Sequence, residues 1–431
     1  MKLEVLIKKY PKFIYRNYEH KISGGNLKIS FLFEIPPSIS FRPRLIIKDI
    51  NEAGSDPVSL DNLVFHVGLM EMLSYWKTTC SPEIIIEAGY LDKEQIKWWK
   101  NLIIKGMGQF FYENKIDWRK PNFLKIVSLQ TSGVCKFYRR PTSVRLKDRY
   151  FVPFAGGRDS IVTLEALKSK GEEISLFTVN PIEKIQRAVK VSGIKKQIIV
   201  ERVIDKKLLE LNKKGYLNGH TPFTSFLSFT SLLCVVIFDY KNIAFSNEKS
   251  ANEGNVSYLG RIINHQWAKS SEFEKMFKGY VKKYLVKNIN YFSYLRNYGE
   301  LEISKMFSKY KQYFGVFSSC NAGMRISSRG LLAAEQRWCG NCPKCLFVYM
   351  ALYPYLSKKE LDEIFQKDIL ENKKLLPIMK GLLGRGKSKP LECVGTYAES
   401  RKAFRLSLEK ALGHSPVGEA RKSGKVPYLL R

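Results

Sequence analysis

Residues 150–167, YFVPFAGGRDSIVTLEAL, constrain the fold more than any other stretch of this chain. The apolar run from Tyr150 to Phe154 predicts a buried strand. A small-residue turn follows at Ala155, Gly156 and Gly157. Arg158, Asp159 and Ser160 then open a helix whose apolar side carries Ile161, Leu164, Ala166 and Leu167. A strand that runs through glycine into a helix N-terminus leaves N–H groups unpaired at the positive end of the helix dipole, and so favours an anion. Gly156 and Gly157 let a phosphate approach the backbone. Ser160 adds a hydroxyl donor, and the Asp159 carboxylate can hold magnesium or a magnesium-bound water. An ordinary connection without a ligand has the same order of elements, so context must decide.

That context is a change of pattern near residue 148. Strands are expected at 174–179, 197–203 and 243–246, alternating with helices at 181–191 and 221–240. Such alternation predicts an α/β fold with a doubly wound parallel sheet, in which ligands bind beyond the carboxyl ends of the strands. Those ends carry AGGRDS, TVN and SNE. Upstream, residues 1–147 read as an α+β domain. LEVLIKKY and LKISFLFEI are expected as short strands around Ser23-Gly24-Gly25, and helices at about 60–76 and 93–114. His66, Glu71, Trp76 and Glu113 could line a cleft, but a helix-borne histidine among apolar residues is more often packed. The basic, proline-containing residues 137–149 mark the boundary, with further domains at 148–319 and 320–431.

The formal charge is +32, from 72 Lys plus Arg against 40 Asp plus Glu. The basic residues are scattered, with no dense block or arginine-rich arm. A solvated surface accounts for the charge first, a polyanionic metabolite second and nucleic acid third. No apolar run reaches membrane-spanning length and the N-terminus has no secretory core, so a cytoplasmic protein off the membrane is expected.

Three polar loops carry candidate chemistry. In Gly219-His220-Thr221-Pro222, Thr221 is the expected N-cap and Pro222 the first helical residue, which puts His220 at a positive helix end. His220 is a candidate proton carrier or a hydrogen-bonded turn residue. In 246–250, SNEKS, the Glu248 carboxylate beside Asn247 can hold magnesium and orient a polar substrate, with Glu253 a weaker second. In 264–272, NHQWAKSSE, His265, Gln266 and Lys269 could read phosphate, sugar or carboxylate groups, and Trp267 could stack on a base or simply pack.

Cys339, Cys342 and Cys345 are spaced C-x-x-C-x-x-C, and Cys320 in FSSCNAG can supply a fourth thiolate. Four thiolates fit structural zinc, with an iron–sulfur cluster as competitor. Cys80, Cys135 and Cys234 read as ordinary buried cysteines. Residues 381–388, GLLGRGKS, satisfy the Walker A pattern, but no clean strand precedes them and Lys389-Pro390 blocks a following helix, so a P-loop NTPase is rejected.

The AGGRDS loop resembles the SGGxDS loop of the PP-loop ATP pyrophosphatases, with Ala155 in place of the first serine. AGGRDS, NGHTPF, SNEKSANEGN, INHQWAKSSEFE, RWCGNCPKC and KPLECVG, with GMGQFFYEN upstream, together resemble the UDP-N-acetylmuramoyl-L-alanyl-L-glutamate epimerase (MurL) family over about residues 60–400. The resemblance implies a PP-loop, HUP-like nucleotide domain and a UDP-linked muramyl dipeptide as substrate. It implies ATP, Mg²⁺ and Zn²⁺ as cofactors, and inversion of the terminal L-glutamate through a carboxyl-adenylate in peptidoglycan synthesis. His220 and His265 become the candidate proton carriers with Glu248 beside them. Residues 155–160, Asn247, Gln266 and Lys269 become the nucleotide contacts. Competing readings are a PP-loop ligase or amide synthetase, like the 7-cyano-7-deazaguanine synthases, a tRNA-modifying relative prompted by the charge, and a non-catalytic binding protein prompted by Ala155.

Overall fold

The computed structural model describes residues 2–50, 57–128, 141–320, 337–414 and 426–431. Residues 137–140 of the expected boundary, and Cys135, lie outside that set. The chain divides into two compact units that alternate along the sequence. Met1–Phe151, Ile198–Ile243 and Ser257–Tyr291 form the first; Val152–Gln197, Ala244–Val256 and Phe292–Arg431 form the second.

In the first unit, strands Lys12–Ser23 and Asn26–Ile35 pair antiparallel down to Ser23↔Asn26. Their turn is Gly24-Gly25, at φ +60° and +68°, where two consecutive positive φ values demand glycine. Strand Arg44–Ile47 joins Asn26–Ile35 antiparallel, and Val203 to Val200 join it in turn. On the other side Glu83–Ile86 pairs parallel with Lys12–Ser23, and Lys125–Ser128 pairs parallel with Glu83–Ile86. Tyr150 and Phe151 pair parallel with Asn242 and Ile243. The fold is therefore α/β with a mixed sheet rather than a purely parallel one, because a two-residue turn can join only antiparallel strands.

LEVLIKK is not a strand. Leu3–Lys9 is a helix with Glu4 in its first turn and Lys8 and Lys9 in its last, matched to the helix dipole, and Leu6 is its buried residue. The strand that reaches the glycine turn starts after Pro11. The helix expected at 93–114 is two, Lys93–Gly106 and Gly108–Glu113, broken at Met107 (φ −92°, ψ 8°). A Cβ on Gly106 would lie 2.9 Å from Pro222, so the break fits a close approach of the loop before Phe223–Ile237. That long helix begins one residue later than expected. Pro222 is its N-cap and Thr221 makes no capping bond; instead the Phe223 N–H donates to the Thr221 carbonyl at 2.7 Å.

The second unit contains strand Ile174–Val179, buried along nearly all its length as a strand covered on both faces should be. Helices Arg158–Lys168 and Glu300–Phe307 pack together. Helix Pro343–Leu352 is buried from Lys344 onward and packs on Tyr397–Ala411. Gly381–Ser388 starts inside helix Leu376–Leu382 rather than after a strand, in keeping with its rejection as a phosphate loop. Among the described residues no helix is long and apolar enough to cross a membrane.

Candidate active site

The glycine loop of the second unit is built as its sequence requires. The Phe154 N–H donates to the Phe177 carbonyl at 2.8 Å, which holds the strand end in the sheet. Gly156 has φ +68°, and a Cβ there would meet the Ala188 Cβ at 3.1 Å; both facts demand glycine. Gly157 is the N-cap of Arg158–Lys168, and no side chain among the described residues caps that end, so its backbone N–H groups suit an anion. Ala155 is exposed, and the Ser160 hydroxyl donates to the Gly157 carbonyl at 2.9 Å.

Arg158 turns inward. Its guanidinium is buried and donates to Asp159 Oδ1 at 2.8 Å and Ser304 Oγ at 2.9 Å, and it is ion-paired with Glu300. Desolvation opposes its charge, but Asp159 and Glu300 outweigh that and hold it above its ordinary pKa. The Ser250 hydroxyl lies 3.3 Å from both Glu248 Oε1 and Glu300 Oε1. Asp159, Arg158, Glu300, Ser250 and Glu248 thus form one polar chain. Glu300 escaped the sequence reading; its only local sign is a helix start at Gly299. Asn247 donates to Ser293 Oγ at 2.9 Å. Glu253 accepts from the buried Lys389 at 2.9 Å and from the Tyr397 N–H at 3.1 Å.

The four cysteines converge in the same unit. Their sulfurs all lie within 4.8 Å of one another, with separations of 3.9 Å (Cys320–Cys342), 3.7 Å (Cys339–Cys345) and 3.4 Å (Cys342–Cys345). Sulfurs about 2.3 Å from a tetrahedral zinc would be roughly 3.8 Å apart. Backbone N–H groups of Cys339, Asn341 and Cys345 point at Cys320, Cys339 and Cys342 sulfurs at 3.4–3.5 Å, and so favour thiolates. The donor set fits a metal such as zinc. Pro343 at the first turn of Pro343–Leu352 and Gly340 at φ +70° set the tight knuckle. Ser318 ties the knot to the glycine loop: its N–H donates to the Gly156 carbonyl at 3.1 Å and its hydroxyl to the Arg337 carbonyl at 2.7 Å.

The first unit gathers the histidines. The rings of His220 and His265, both half-buried, lie 4.7 Å apart at 50°. Burial, with His265 and Lys77 nearby, lowers the His220 pKa to about 3 and keeps it neutral. His265 Nδ1 is hydrogen-bonded to Gln109 Oε1, and Gln109 Nε2 donates to Glu113 Oε1 at 2.7 Å. Lys77, buried, donates to the Gly219 carbonyl at 2.8 Å; burial first, then Arg202, brings its pKa to about 8. Gln266 is buried with no hydrogen-bond partner for its Oε1 among the described residues. The Lys269 N–H donates to the Gln266 carbonyl at 2.7 Å. Trp267 is packed and donates to Glu272 at 2.8 Å. Sequence reasoning missed Lys77, which no motif marks, and gave Gln109 no role although it lies within GMGQFFYEN.

His66 shows the contrast. Its Nδ1 donates to the Asn62 carbonyl at 2.8 Å and its Nε2 accepts from the Tyr280 hydroxyl at 2.9 Å. The Tyr280 oxygen accepts in turn from Gln95 at 3.1 Å and Trp99 at 3.0 Å. That histidine is a satisfied core residue, with its pKa lowered by burial to about 4.

An α/β chain that sets two histidine rings against each other, and binds four thiols into a knot beside an open helix end, has the furnishings of an enzyme rather than a scaffold. Residues 5–294 match the MurL N-terminal domain and residues 316–418 the MurL C-terminal domain. Relatives named UDP-N-acetyl-alpha-D-muramoyl-L-alanyl-L-glutamate epimerase come from Salinispora tropica, a Micromonospora species and Xanthomonas oryzae pv. oryzae. Their identities are 33%, 32% and 29%, over 79%, 78% and 83% of this chain and 71%, 73% and 77% of theirs. The chain belongs to the MurL family.

Proposed function

We propose that this protein inverts the terminal L-glutamate of UDP-N-acetylmuramoyl-L-alanyl-L-glutamate to D-glutamate, in the cytoplasm, during peptidoglycan precursor synthesis. The observation that carries the reading is the His220–His265 pair, two imidazoles ring to ring in a family whose relatives are named epimerases. Inversion at a carbon beside a carbonyl needs one group to take the proton and another to return one to the opposite face.

A free carboxylate makes its neighbouring C–H very weakly acidic. Converting that carboxylate to an acyl-adenylate with ATP removes its charge and lets the acyl group absorb the electron pair left on the α-carbon. On this reading the backbone at 155–158 and Ser160 hold phosphate at the uncapped helix end, Arg158 acting through its main chain because its side chain is engaged. Asp159 and Glu248 are the candidate magnesium carboxylates, and Asn247, Gln266 and Lys269 the further nucleotide contacts. The four cysteines hold zinc as a structural support. Residues 1–147 serve the substrate, 148–319 carry a PP-loop, HUP-like nucleotide domain, and 320–431 the metal knot and helical C-terminal region.

The test is incubation with ATP, Mg²⁺ and the L-Ala-L-Glu nucleotide, with chiral analysis of the glutamate and assay of AMP. D-Glutamate with AMP is expected. AMP without inversion, or neither, would overturn the proposal.

A further inference from the structure

We infer that Gln109 is a positioning residue that fixes His265 in the Nδ1–H tautomer and leaves Nε2 as the nitrogen that takes the proton. The inference rests on the reading of His265 as a proton carrier and assigns it one of the two roles.

The amide group facing Glu113 is the Gln109 NH₂, which donates to the carboxyl Oε1 at 2.7 Å. That fixes the amide's orientation and turns its Oε1 toward His265 Nδ1. An amide oxygen has no hydrogen, so Nδ1 must carry the proton of that bond. In neutral imidazole the lone pair then lies on Nε2. Gln109 and Glu113 stand four residues apart on helix Gly108–Glu113, and so share one face. The same helix also abuts the loop before His220. A Cβ on Gly219, at φ +156°, would lie 3.1 Å from Phe110 and 3.3 Å from Glu113 Oε2. One short helix thus bears on both histidine loops.

In the step itself the α-carbon proton moves to Nε2, the C–H electron pair stays with the substrate, and the imidazolium keeps its Nδ1–H on Gln109. A neutral amide orients the ring without adding the charge that would stabilise imidazolium in advance. A base that must start neutral is served better by glutamine than by glutamate.

The test is ¹⁵N spectroscopy of the imidazoles in the full chain, in which His265 is one of 5 histidines and is assigned by its loss in His265→Asn. Wild type should show His265 protonated on Nδ1, and Gln109→Leu should lose that preference. Wild type protonated on Nε2, or an unchanged tautomer in the variant, overturns the inference. In kinetics, Gln109→Leu should lower kcat for α-proton exchange by about tenfold or more. Gln109→Glu should keep much of kcat and move the acid limb of the pH profile up by roughly one unit. Equal losses in both variants with no movement of the limb would make Gln109 merely structural and also overturn the inference. The tautomer is read without turnover, so it stays separate from His265→Asn, whose full retention of exchange would sink only the base assignment.

Discussion

The metal knot and glycine loop of the second unit, and the histidine cluster of the first, are assembled in opposite ways. The knot takes three of its four ligands from seven consecutive residues, and the loop is a single continuous turn. The histidine cluster draws Lys77, the pair Gln109 and Glu113, His220 and His265 from four separated places and joins them by side-chain and carbonyl contacts. One region is specified by spacing, the other by packing. The chemistry divides along the same line: local backbone geometry suits an anion and a metal, whereas a proton relay needs side chains that tertiary structure alone brings together.

The sharpest way to break this contrast is to take one ligand from the proposed metal site. Structural zinc contributes on the order of 10 kcal/mol to the folding of small cysteine sites. Cys342→Ser should reduce bound zinc from about one per chain toward none, and thermal unfolding should show the second unit destabilised. Because Ser318 links the knot to Gly156, AMP formation should fall with it. A visible iron–sulfur absorption in wild type would replace zinc in this account, and full stability without metal would leave the knot no structural task.

His265→Asn should separate the regions cleanly. Loss of a proton carrier costs about 10²- to 10⁴-fold, so deuterium exchange at the glutamate α-carbon should fall by that order while AMP formation and zinc content persist. His220→Asn should do the same. Unchanged exchange in both variants would dismiss the pair. His66→Gln is the matched control: a buried, hydrogen-bonded residue whose replacement should cost about 1–3 kcal/mol of stability and leave exchange intact.

Much of this was legible in the sequence. The glycine loop, the cysteine knot and most strands of the α/β core announce themselves through neighbours a few residues apart. The sheet's antiparallel half was half-hidden, because LEVLIKK has hydrophobics that suit either period and only its place before Pro11 and its end charges favour a helix. The start of Phe223–Ile237 moved by one residue because Thr221 supplies its carbonyl rather than its hydroxyl. The roles of Gln109, Lys77 and Glu300 were invisible for a common reason. Each matters through a partner more than a hundred residues away, and a single sequence holds no record of that pairing.

The lowered pKa of His220 gives a smaller, graded test. Its folded value, about 3, lies below the ordinary 6.5, so between these limits the unfolded chain binds a proton that the folded chain refuses. Stability from this group is complete above about pH 6.5 and is lost as pH falls toward 3, at up to about 1.4 kcal/mol per pH unit. His66 acts in the same direction, down to about 4. Urea unfolding of His220→Asn against wild type between pH 6.5 and 4 should therefore show a shallower pH slope in the variant. Parallel slopes would mean that His220 takes up its proton as readily in the folded chain as in the unfolded one, and the cluster is wetter than its packing indicates.

The smallest effect concerns Ala155, the one place where the loop departs from the pyrophosphatase pattern. The side chain there is exposed, so serine introduces no overlap, and its hydroxyl would add one hydrogen bond to phosphate at the open helix end. A net hydrogen bond contributes about 0.5–1.5 kcal/mol, so Ala155→Ser should lower KM for ATP by roughly two- to tenfold, with kcat for exchange unchanged because the histidines are untouched. Gly156→Ala is its counterpart. A methyl group forced into φ +68° and pressed to 3.1 Å from Ala188 should raise KM for ATP instead. If the hydroxyl weakens ATP binding while the methyl group leaves it alone, the triphosphate does not lie on this turn. The division of labour between a backbone-built anion site and a side-chain-built proton relay would then have to be drawn elsewhere in the chain.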